Sequence, residues 1–439
     1  MANVLIISGS YFPYATANAV CVKKFEDVLK SHGHKVIYCN RKHDLYEPDY
    51  HIYEGTELYT VGKNSDLFFQ TMHKLNGLSL PNNMQGCFAL SNRIFRILMK
   101  LRNIGKNKSR LRETASDFYI NQYAERIASI IEKENIDVIM SVSMPFDSHK
   151  AALKAINKLK SEQKKTPKWI AYCIDAYWSK AGIPKIDIPQ KKQEEKEVFT
   201  SCDMILLLDT LLNDFASKDF DYCRSKFKPL PLPLFDLKQE KTYNDGIEYD
   251  STKLNFVYTG TIYDKYSNVD ALVEIIRNLP ASSIFHLMGK IYPMSLAVLE
   301  ELSRDYNGRI LMLGRRSYDY AKGSMQKADI LINLANDNAN QIPSKIFEYI
   351  ACCKPILNIY KCADDVGTKY LKQYPLAFNF NVQDMDNELI RLSVWLKSIS
   401  RQAVSFERIE SIYKDILTPT VINNFYNLIK PILSTTTEQ

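Results

Sequence analysis

Short apolar runs alternate with amphipathic stretches along most of the chain. The pattern is clearest between 328 and 360, where a buried strand over Ile330 to Leu334 precedes a polar loop, a helix from Ser344 to Cys353 and a strand over Pro355 to Ile359. Strands that alternate with helices in this way predict a parallel sheet. Ligands of such sheets bind outside the carboxyl ends of the strands.

Each half of the chain begins with the same alternation. Val4 to Ser8 is an apolar strand, and an amphipathic helix from Asn18 to Ser31 follows it. In the second half, Leu254 to Thr259 is the strand and Asn268 to Leu279 is the helix. Both halves therefore open like a Rossmann-type β-loop-α unit.

The chain has 439 residues, which is more than one typical domain holds, and 46% of them are hydrophobic, enough for packed cores. The polar segment 236–253 follows a proline-rich stretch near the middle of the sequence. Such composition is typical of a linker. We expect an α/β protein with two doubly wound, Rossmann-like domains, 1–235 and 254–418, joined by 236–253.

Several classes of protein lack their sequence signatures here. Neither G-x-G-x-x-G nor G-K-[ST] follows the first strand, which disfavours a dinucleotide enzyme and a P-loop NTPase. No apolar run reaches the roughly 18 residues of a membrane-spanning helix. The nine cysteines include no C-x-x-C pair, and the formal net charge of +7 is modest. These features predict a soluble, cytoplasmic protein.

One segment, 88–112, concentrates positive charge. It has eight basic residues and no acidic residue, interleaved with large apolar side chains. A basic amphipathic helix can lie on an anionic membrane surface, and the alternative is a solvated helix packed on its own domain. No stacking platform accompanies the charge, so we expect no nucleic-acid binding. The candidate membrane or acceptor contacts are Arg93, Arg96, Lys100 and Arg102.

The helix that starts at Ser344 carries groups suited to an anionic ligand. Ser344 can cap the helix, whose free N–H groups and positive dipole end suit a phosphate, and Lys345 adds a full charge. Glu348 lies one turn further on, where its carboxylate could accept two hydrogen bonds from the hydroxyl groups of a ribose. Considered alone, Glu348 could also be a solvated helix residue.

Two more strands lead into residues that can act in catalysis. Ile136 to Val142 precedes a helix with His149 in its first turn, and Asp175 directly follows the strand Lys168 to Ile174. Both lie at the carboxyl ends of their strands, where ligands bind. Asp175 could orient or deprotonate an acceptor hydroxyl, with a turn cap as the alternative. His149 could equally be a capping or packing histidine.

The segment from 343 onward resembles the donor-binding segment of GT-B glycosyltransferases, particularly the family-4-like (group 1) enzymes of capsule, O-antigen and exopolysaccharide assembly. The matching residues are Pro343, Ser344, Lys345, Ile346, Phe347, Glu348 and Tyr349, then Ala351, Lys354 and Pro355. In that family the second Glu of an E-x7-E pattern holds the donor's ribose, and Glu348 matches it. Asn340 stands in place of the first Glu, so a neutral amide replaces a charge near the donor sugar.

The first half is similar to a subgroup of these enzymes that has S-x-P-x-x-x-H and then a strand ending in D-P-W. Pro145 and His149 match the first motif. Asp175 and Trp178 match the second, with Ala176-Tyr177 in place of the single proline. The resemblance implies that Asp175 and His149 orient the acceptor or the donor sugar.

Other donor contacts are implied by the same resemblance. Gly260 and Lys265 correspond to a family glycine and lysine that contact the donor phosphates, although Thr261 replaces the arginine beside that glycine. The small residues around Asn18 correspond to a glycine-rich loop that faces the diphosphate. The last helix, 419–437, would cross back to the first domain, as in other GT-B folds.

The resemblance implies a GT-B fold with two domains facing a cleft. It implies a hexosyltransferase that moves sugar from a UDP- or GDP-type donor to a hydroxyl of a glycan or lipid-linked acceptor in cell-surface polysaccharide or glycolipid synthesis. The resemblance also implies retention of the anomeric configuration. It implies a reaction that uses no metal ion and no other cofactor. We expect a cytoplasmic protein, peripheral on the inner membrane face. The alternatives are a non-catalytic nucleotide- or partner-binding subunit and a GT-B-fold nucleotide-sugar epimerase.

Overall fold

A computed structural model gives the fold of the chain. It describes residues 1–9, 17–42, 47–62, 117–143, 145–175, 177–179, 183–237, 243, 246–264, 268–306, 308–335, 345–362, 365–399 and 402–435. The basic segment 88–112 lies outside the described residues. Two compact units form, one over Met1–Pro231 with Ile422–Gln439 and the other over Leu232–Val421. No helix in the described part of the chain is long and apolar enough to cross a bilayer.

The first unit is built on an eight-stranded sheet with the order β3-β4-β2-β1-β5-β6-β7-β8. Its strands are β1 (Asn3–Ser8), β2 (Lys35–Arg41), β3 (Tyr50–Tyr53), β4 (Thr56–Val61), β5 (Val138–Ser143), β6 (Lys168–Cys173), β7 (Met204–Leu207) and β8 (Phe227–Pro229). Its α-helices are α1 (Ala17–Ser31), α2 (Asp117–Lys133), α3 (Asp147–Ser161) and α4 (Ile188–Ser201). All pairs are parallel except β3 with β4, a hairpin that the apolar pattern did not predict.

The second unit holds a six-stranded parallel sheet with the order β11-β10-β9-β12-β13-β14. The strands are β9 (Leu254–Thr259), β10 (Ser283–Met288), β11 (Ile310–Gly314), β12 (Ile330–Leu334), β13 (Ile356–Tyr360) and β14 (Ala377–Asn381). This is the doubly wound order, and its direction reverses between β9 and β12. A ligand is expected at that switch point.

Helices cover both faces of this second sheet. They are α5 (Val269–Asn278), α6 (Pro293–Asp305), α7 (Tyr318–Lys327), α8 (Lys345–Ala351), α9 (Val366–Leu371), α10 (Met385–Ile399) and α11 (Phe406–Tyr413). Phe256 and Val257 are adjacent in β9 and fully buried, but they belong to different core clusters because successive side chains of a strand point to opposite faces. Burial on both faces explains why the strands read as unbroken apolar runs.

Aromatic side chains of the last helix, α12 (Thr418–Thr435), pack on α1 and the residue that follows it in the first unit. The ring of Phe425 stacks on that of Phe25 in α1 with 3.9 Å between centroids, and the ring of Tyr426 stacks on His32 at 3.7 Å. Phe25 and Phe425 are both completely buried. The amphipathic pattern of the final segment therefore serves to pack its apolar face on the first unit.

The described part of the polar segment 236–253 packs closely on α7. An added Cβ on Gly246 would lie 2.4 Å from the carbonyl carbon of Gly323, so the two backbones approach more closely than side chains would allow. The backbone N–H of Ile247 donates to Ser324 Oγ at 3.3 Å, and the Tyr249 hydroxyl donates to the Ser324 carbonyl at 3.1 Å. This segment therefore holds α7 in place on the second unit.

Glycines line the carboxyl edge of the second sheet, at the ends of β9, β10 and β11. Gly260 N–H donates to the Met288 carbonyl at 2.9 Å, and Gly289 N–H donates to the Gly314 carbonyl at 2.8 Å. Gly289 has φ +130°, and a Cβ there would lie 1.7 Å from the Gly260 carbonyl oxygen. The backbones at Gly260 and Gly289 therefore approach more closely than a side chain at position 289 would allow.

We predict that Gly289→Ala destabilises the second unit strongly, because alanine would be strained at φ +130° and would also displace the turn at Gly260. The expected loss is about 3 kcal/mol or more. Gly308→Ala is the matched control, since Gly308 has φ +75° but nothing within 4 Å of an added Cβ. The control should lose only about 1–2 kcal/mol. Thermal unfolding of the two variants side by side measures the difference, and equal losses would contradict the close approach.

Candidate functional site

The helix α8 is fixed against the end of β9 at the switch point of the second sheet. Its apolar residues Ile346, Phe347 and Ile350 are buried in the core. Tyr349 is buried as well, and its hydroxyl accepts a hydrogen bond from Thr259 N–H at 2.9 Å and donates to the Thr259 carbonyl at 3.2 Å. Since Thr259 immediately precedes Gly260, this pair holds the first turn of α8 beside the glycine-lined edge.

Glu348 lies between two lysines on the polar side of α8. Lys345 Nζ is 2.9 Å from Glu348 Oε1 and 3.1 Å from Oε2. Lys322 Nζ, from α7, is 3.1 Å from Glu348 Oε2. The side chains of Glu348, Lys345 and Lys322 are 22%, 33% and 16% exposed, so the carboxylate is neither buried alone nor extended into bulk water. We call these three residues the Glu348 cluster.

Lys322 has no signal in the sequence, and the fold adds it to the predicted site. Burial lowers the pKa of Lys322, but the neighbouring Glu348 carboxylate more than compensates and the pKa is raised overall. Lys322 therefore stays charged at neutral pH. It is 26 positions before Glu348, with β12 between them, and only the packing of α7 next to α8 brings the two side chains together.

An aromatic ring adjoins both ammonium groups of the Glu348 cluster. Lys322 Nζ is 5.6 Å and Lys345 Nζ 5.9 Å from the centroid of the Tyr318 ring. Tyr318 begins α7, whose N-cap Ser317 accepts a hydrogen bond from Tyr320 N–H, and its side chain is 59% exposed. Both distances fall within the range of cation–π attraction, so the ring helps to hold the lysines near the carboxylate.

The structure brings together some of the predicted donor contacts. Lys345 and Glu348 are in contact in α8, and the pairing of Tyr349 with Thr259 joins that helix to the residue before Gly260. Asn18 is half-buried in the first turn of α1, in the other unit. The following candidates lie outside the described residues, and their roles stay predictions: Ser344, Lys265, Asn340, Arg93, Arg96, Lys100 and Arg102.

His149 lies inside the first unit, away from solvent. Ser141 Oγ accepts a hydrogen bond from Trp169 Nε1 at 2.7 Å and pairs with His149 Nδ1, also at 2.7 Å. The other ring nitrogen of His149, Nε2, faces Cys173 Sγ at 3.7 Å. Burial lowers the pKa of His149 to about 3. This geometry suits a packing histidine, and it offers no contact between the ring and a substrate.

Asp175 is half-buried two residues beyond the end of β6. The motif residue Trp178 follows it, and Lys192 Nζ from α4 lies 4.2 Å from the centroid of the Trp178 ring. Cys173, the last residue of β6, also faces His149, so the two predicted catalytic residues lie on neighbouring elements. They differ in exposure, because only Asp175 retains access to solvent.

Solved structures that resemble this chain cover nearly its whole length. A sucrose-phosphate synthase from Thermosynechococcus elongatus is 12% identical with a TM-score of 0.61, covering 99% of this chain and 100% of that one. The Anabaena protein HepE, solved with UDP, is 8% identical with a TM-score of 0.59, covering 98% and 100%. Starch synthase IV from Arabidopsis thaliana, bound to ADP and acarbose, is 10% identical with a TM-score of 0.58, covering all of both chains.

The chain has the GT-B fold. The two doubly wound sheets match the expectation from the alternation of strands and helices, and the match extends over both units. No protein-family model and no curated protein sequence matches the chain. At identities near 10% the structural likeness establishes the fold, and the activity has to be argued from the site.

We predict that His149 makes the stability of the first unit depend on pH. Its pKa is about 3 when folded and about 6.5 in an unfolded chain. Below pH 6.5 only the unfolded state binds the proton, so the free energy of unfolding falls by about 1.4 kcal/mol per pH unit from this group, down to about pH 3. His149→Gln should flatten the slope measured by urea unfolding. An unchanged slope in His149→Gln would contradict the burial of the ring.

Proposed function

We propose that this chain is a glycosyltransferase that moves a hexosyl group from a UDP- or GDP-type sugar to a hydroxyl group. The observation that carries the proposal is the Glu348 cluster, a carboxylate and two cations at the switch point of the second sheet. Gly260 and Gly289 follow two strands of the same sheet. A carboxylate suits the diol of a ribose, and an ammonium group suits a diphosphate. The GT-B fold supports this proposal, since HepE was solved with UDP and starch synthase IV with ADP.

Each group has a distinct task in the proposed reaction. The bond between the anomeric carbon and the diphosphate oxygen breaks while the acceptor oxygen bonds to the same carbon. Lys345 would stabilise the negative charge that develops on the leaving diphosphate, which makes a divalent metal unnecessary. Glu348 would hold the ribose, and the backbone at Gly260 and Gly289 would allow the phosphates to approach closely.

We place the acceptor on the first unit, with Asp175 as the residue that orients its hydroxyl group. In a retaining, front-face reaction the donor phosphate takes the acceptor proton, and Asp175 only positions the hydroxyl. In an inverting reaction Asp175 takes the proton. We favour retention because of the family resemblance around Glu348. We do not assign His149 a contact with substrate, because its ring is completely buried.

The setting that we propose is assembly of a cell-surface glycan or glycolipid at the inner face of the cytoplasmic membrane. Its support is the basic segment 88–112 and one structural neighbour of 13% identity, WaaG, described as a glycosyltransferase involved in lipopolysaccharide biosynthesis. That neighbour has a TM-score of 0.56 and covers 97% of this chain and 99% of its own. The acceptor would then be a glycan or a lipid-linked sugar.

A panel of nucleotide sugars tests the proposed function directly. The full chain is incubated with UDP- and GDP-hexoses, with and without EDTA, and release of UDP or GDP is measured. A glycosyltransferase should hydrolyse one donor slowly, transfer its sugar when a suitable acceptor is added, and continue to do so in EDTA. Thermal stabilisation by nucleotide without any turnover would instead indicate a binding subunit.

We predict that Glu348→Ala weakens donor binding. Two hydrogen bonds to a charged group would be lost, so the expected cost is about 1–3 kcal/mol, or roughly 5- to 150-fold in Kd. Isothermal titration with UDP or GDP measures this change. Glu301→Ala, at an exposed position of α6 in the same unit, is the control and should bind as the wild type does. Unchanged affinity in Glu348→Ala would remove Glu348 from the site.

We predict that Asp175→Asn lowers turnover more than donor affinity, because the residue acts on the acceptor side of the reaction. The measurement is kcat together with the Kd for the donor nucleotide. Asp209→Asn is the matched control, since Asp209 is exposed just beyond the end of β7, the strand next to β6. Equal losses of turnover and donor affinity in Asp175→Asn would contradict its assignment.

A further inference from the structure

We propose that the two lysines of the Glu348 cluster separate when the donor binds: Lys345 moves to the diphosphate, while Lys322 stays on Glu348 and positions it for the ribose. This inference rests on the proposed function. It assigns Lys322 as a positioning residue, which acts on the donor only through Glu348. It assigns Lys345 as the residue that changes partner.

The Glu348 carboxylate can accept only a limited number of hydrogen bonds. Its two oxygens offer about four lone-pair sites. Lys345 and Lys322 together make three contacts with Glu348, two to Oε2 and one to Oε1. A ribose diol needs two sites, so the carboxylate cannot hold the diol and both lysines in their present contacts. At least one lysine contact has to be released.

Lys345 and Lys322 differ in how easily their contacts with Glu348 are released. Lys345 is 33% exposed and Lys322 is 16% exposed, so Lys345 regains water or a phosphate with less rearrangement. Lys345 also belongs to the same helix as Glu348, three residues away, and its contact costs little to break. Lys322 comes from another helix, and loss of its contact would leave a more deeply buried ammonium group without its carboxylate.

The helix α7 is anchored immediately after Lys322. The backbone of Gly323 is packed directly against Gly246, and Ser324 is bonded to Ile247 and Tyr249. These contacts involve the two residues that follow Lys322, so the base of its side chain cannot shift readily. Lys322 is therefore the fixed cation of the pair, and Glu348 stays aimed at one place when Lys345 leaves.

The experiment compares two nucleotides that differ only in the ribose diol. UDP and 2′,3′-dideoxy-UDP, or the GDP pair if the wild type prefers guanine, are titrated calorimetrically into the wild type, Lys322→Gln and Lys345→Gln. Lys322→Gln should weaken the binding of UDP roughly five- to tenfold. It should leave the affinity for the dideoxy nucleotide within about twofold of the wild type, because Lys322 acts through the diol-binding carboxylate. Lys345→Gln should weaken both nucleotides by the same factor, because the diphosphate is common to them.

Two further variants serve as controls. Lys372→Gln removes a charge from an exposed lysine elsewhere in the second unit and should leave both affinities unchanged. Lys322→Arg retains the cation and should restore much of the affinity for UDP. If the role of Lys322 were purely structural, Lys322→Gln would lower the affinity for UDP and for the dideoxy nucleotide equally. Lys322→Arg would then also change both affinities by the same factor.

The outcomes distinguish this inference from the proposed function. If Lys322→Gln affects both nucleotides alike, or if the loss in Lys345→Gln disappears with the dideoxy nucleotide, the division of tasks is wrong while nucleotide binding stands. If the wild type binds neither UDP nor GDP, the proposed function fails and the inference fails with it.

Discussion

A carboxylate shared by two ammonium groups is the interaction on which the candidate site depends. Each member of the Glu348 cluster is more than half shielded from solvent, where an isolated charge would be costly, so the charges require one another. The pairing links α7 to α8 and hence two successive βα units. Tyr349 fixes one of these helices to β9, and the segment around Gly246 fixes the other. The chemistry is therefore held by elements that are already determined by the core.

The topology explains why these groups meet at one edge. In the second sheet the strand order reverses between β9 and β12, so the chain leaves these neighbouring strands toward opposite faces and a crevice forms at their carboxyl ends. Gly260 follows β9, and α8, which carries Lys345 and Glu348, follows β12. A glycine that allows close backbone approach and a positively charged side chain therefore both come after the carboxyl ends of the two strands. A diphosphate needs this combination of close backbone approach and positive charge.

The sequence allowed prediction of features that depend on local pattern, and it did not allow prediction of those that depend on packing. Leu254–Thr259 and Ile330–Leu334 are strands with the expected bounds, because doubly covered parallel strands are short apolar runs that end at glycine or polar residues. The motif around Glu348 was also visible. Lys322 was not, because its role comes from the packing of two helices. The contacts of the His149 ring were not visible either, because its neighbours Ser141 and Cys173 lie on two different strands.

The lysines around Glu348 also bear on the departure of this chain from the pattern of the family-4-like enzymes that its sequence resembles. A typical member of the family carries two glutamates in the E-x7-E pattern, whereas here Asn340 replaces the first of them. In the Glu348 cluster two lysines and one glutamate leave a net charge of +1, from two positive charges and one negative. At the proposed donor site, a neutral residue at 340 and the charge of Lys322 would both reduce the negative charge. That would favour a diphosphate through electrostatics and leave the sugar to neutral hydrogen bonds. Specificity for the sugar would then depend on the shape and amide groups of the site rather than on a second carboxylate.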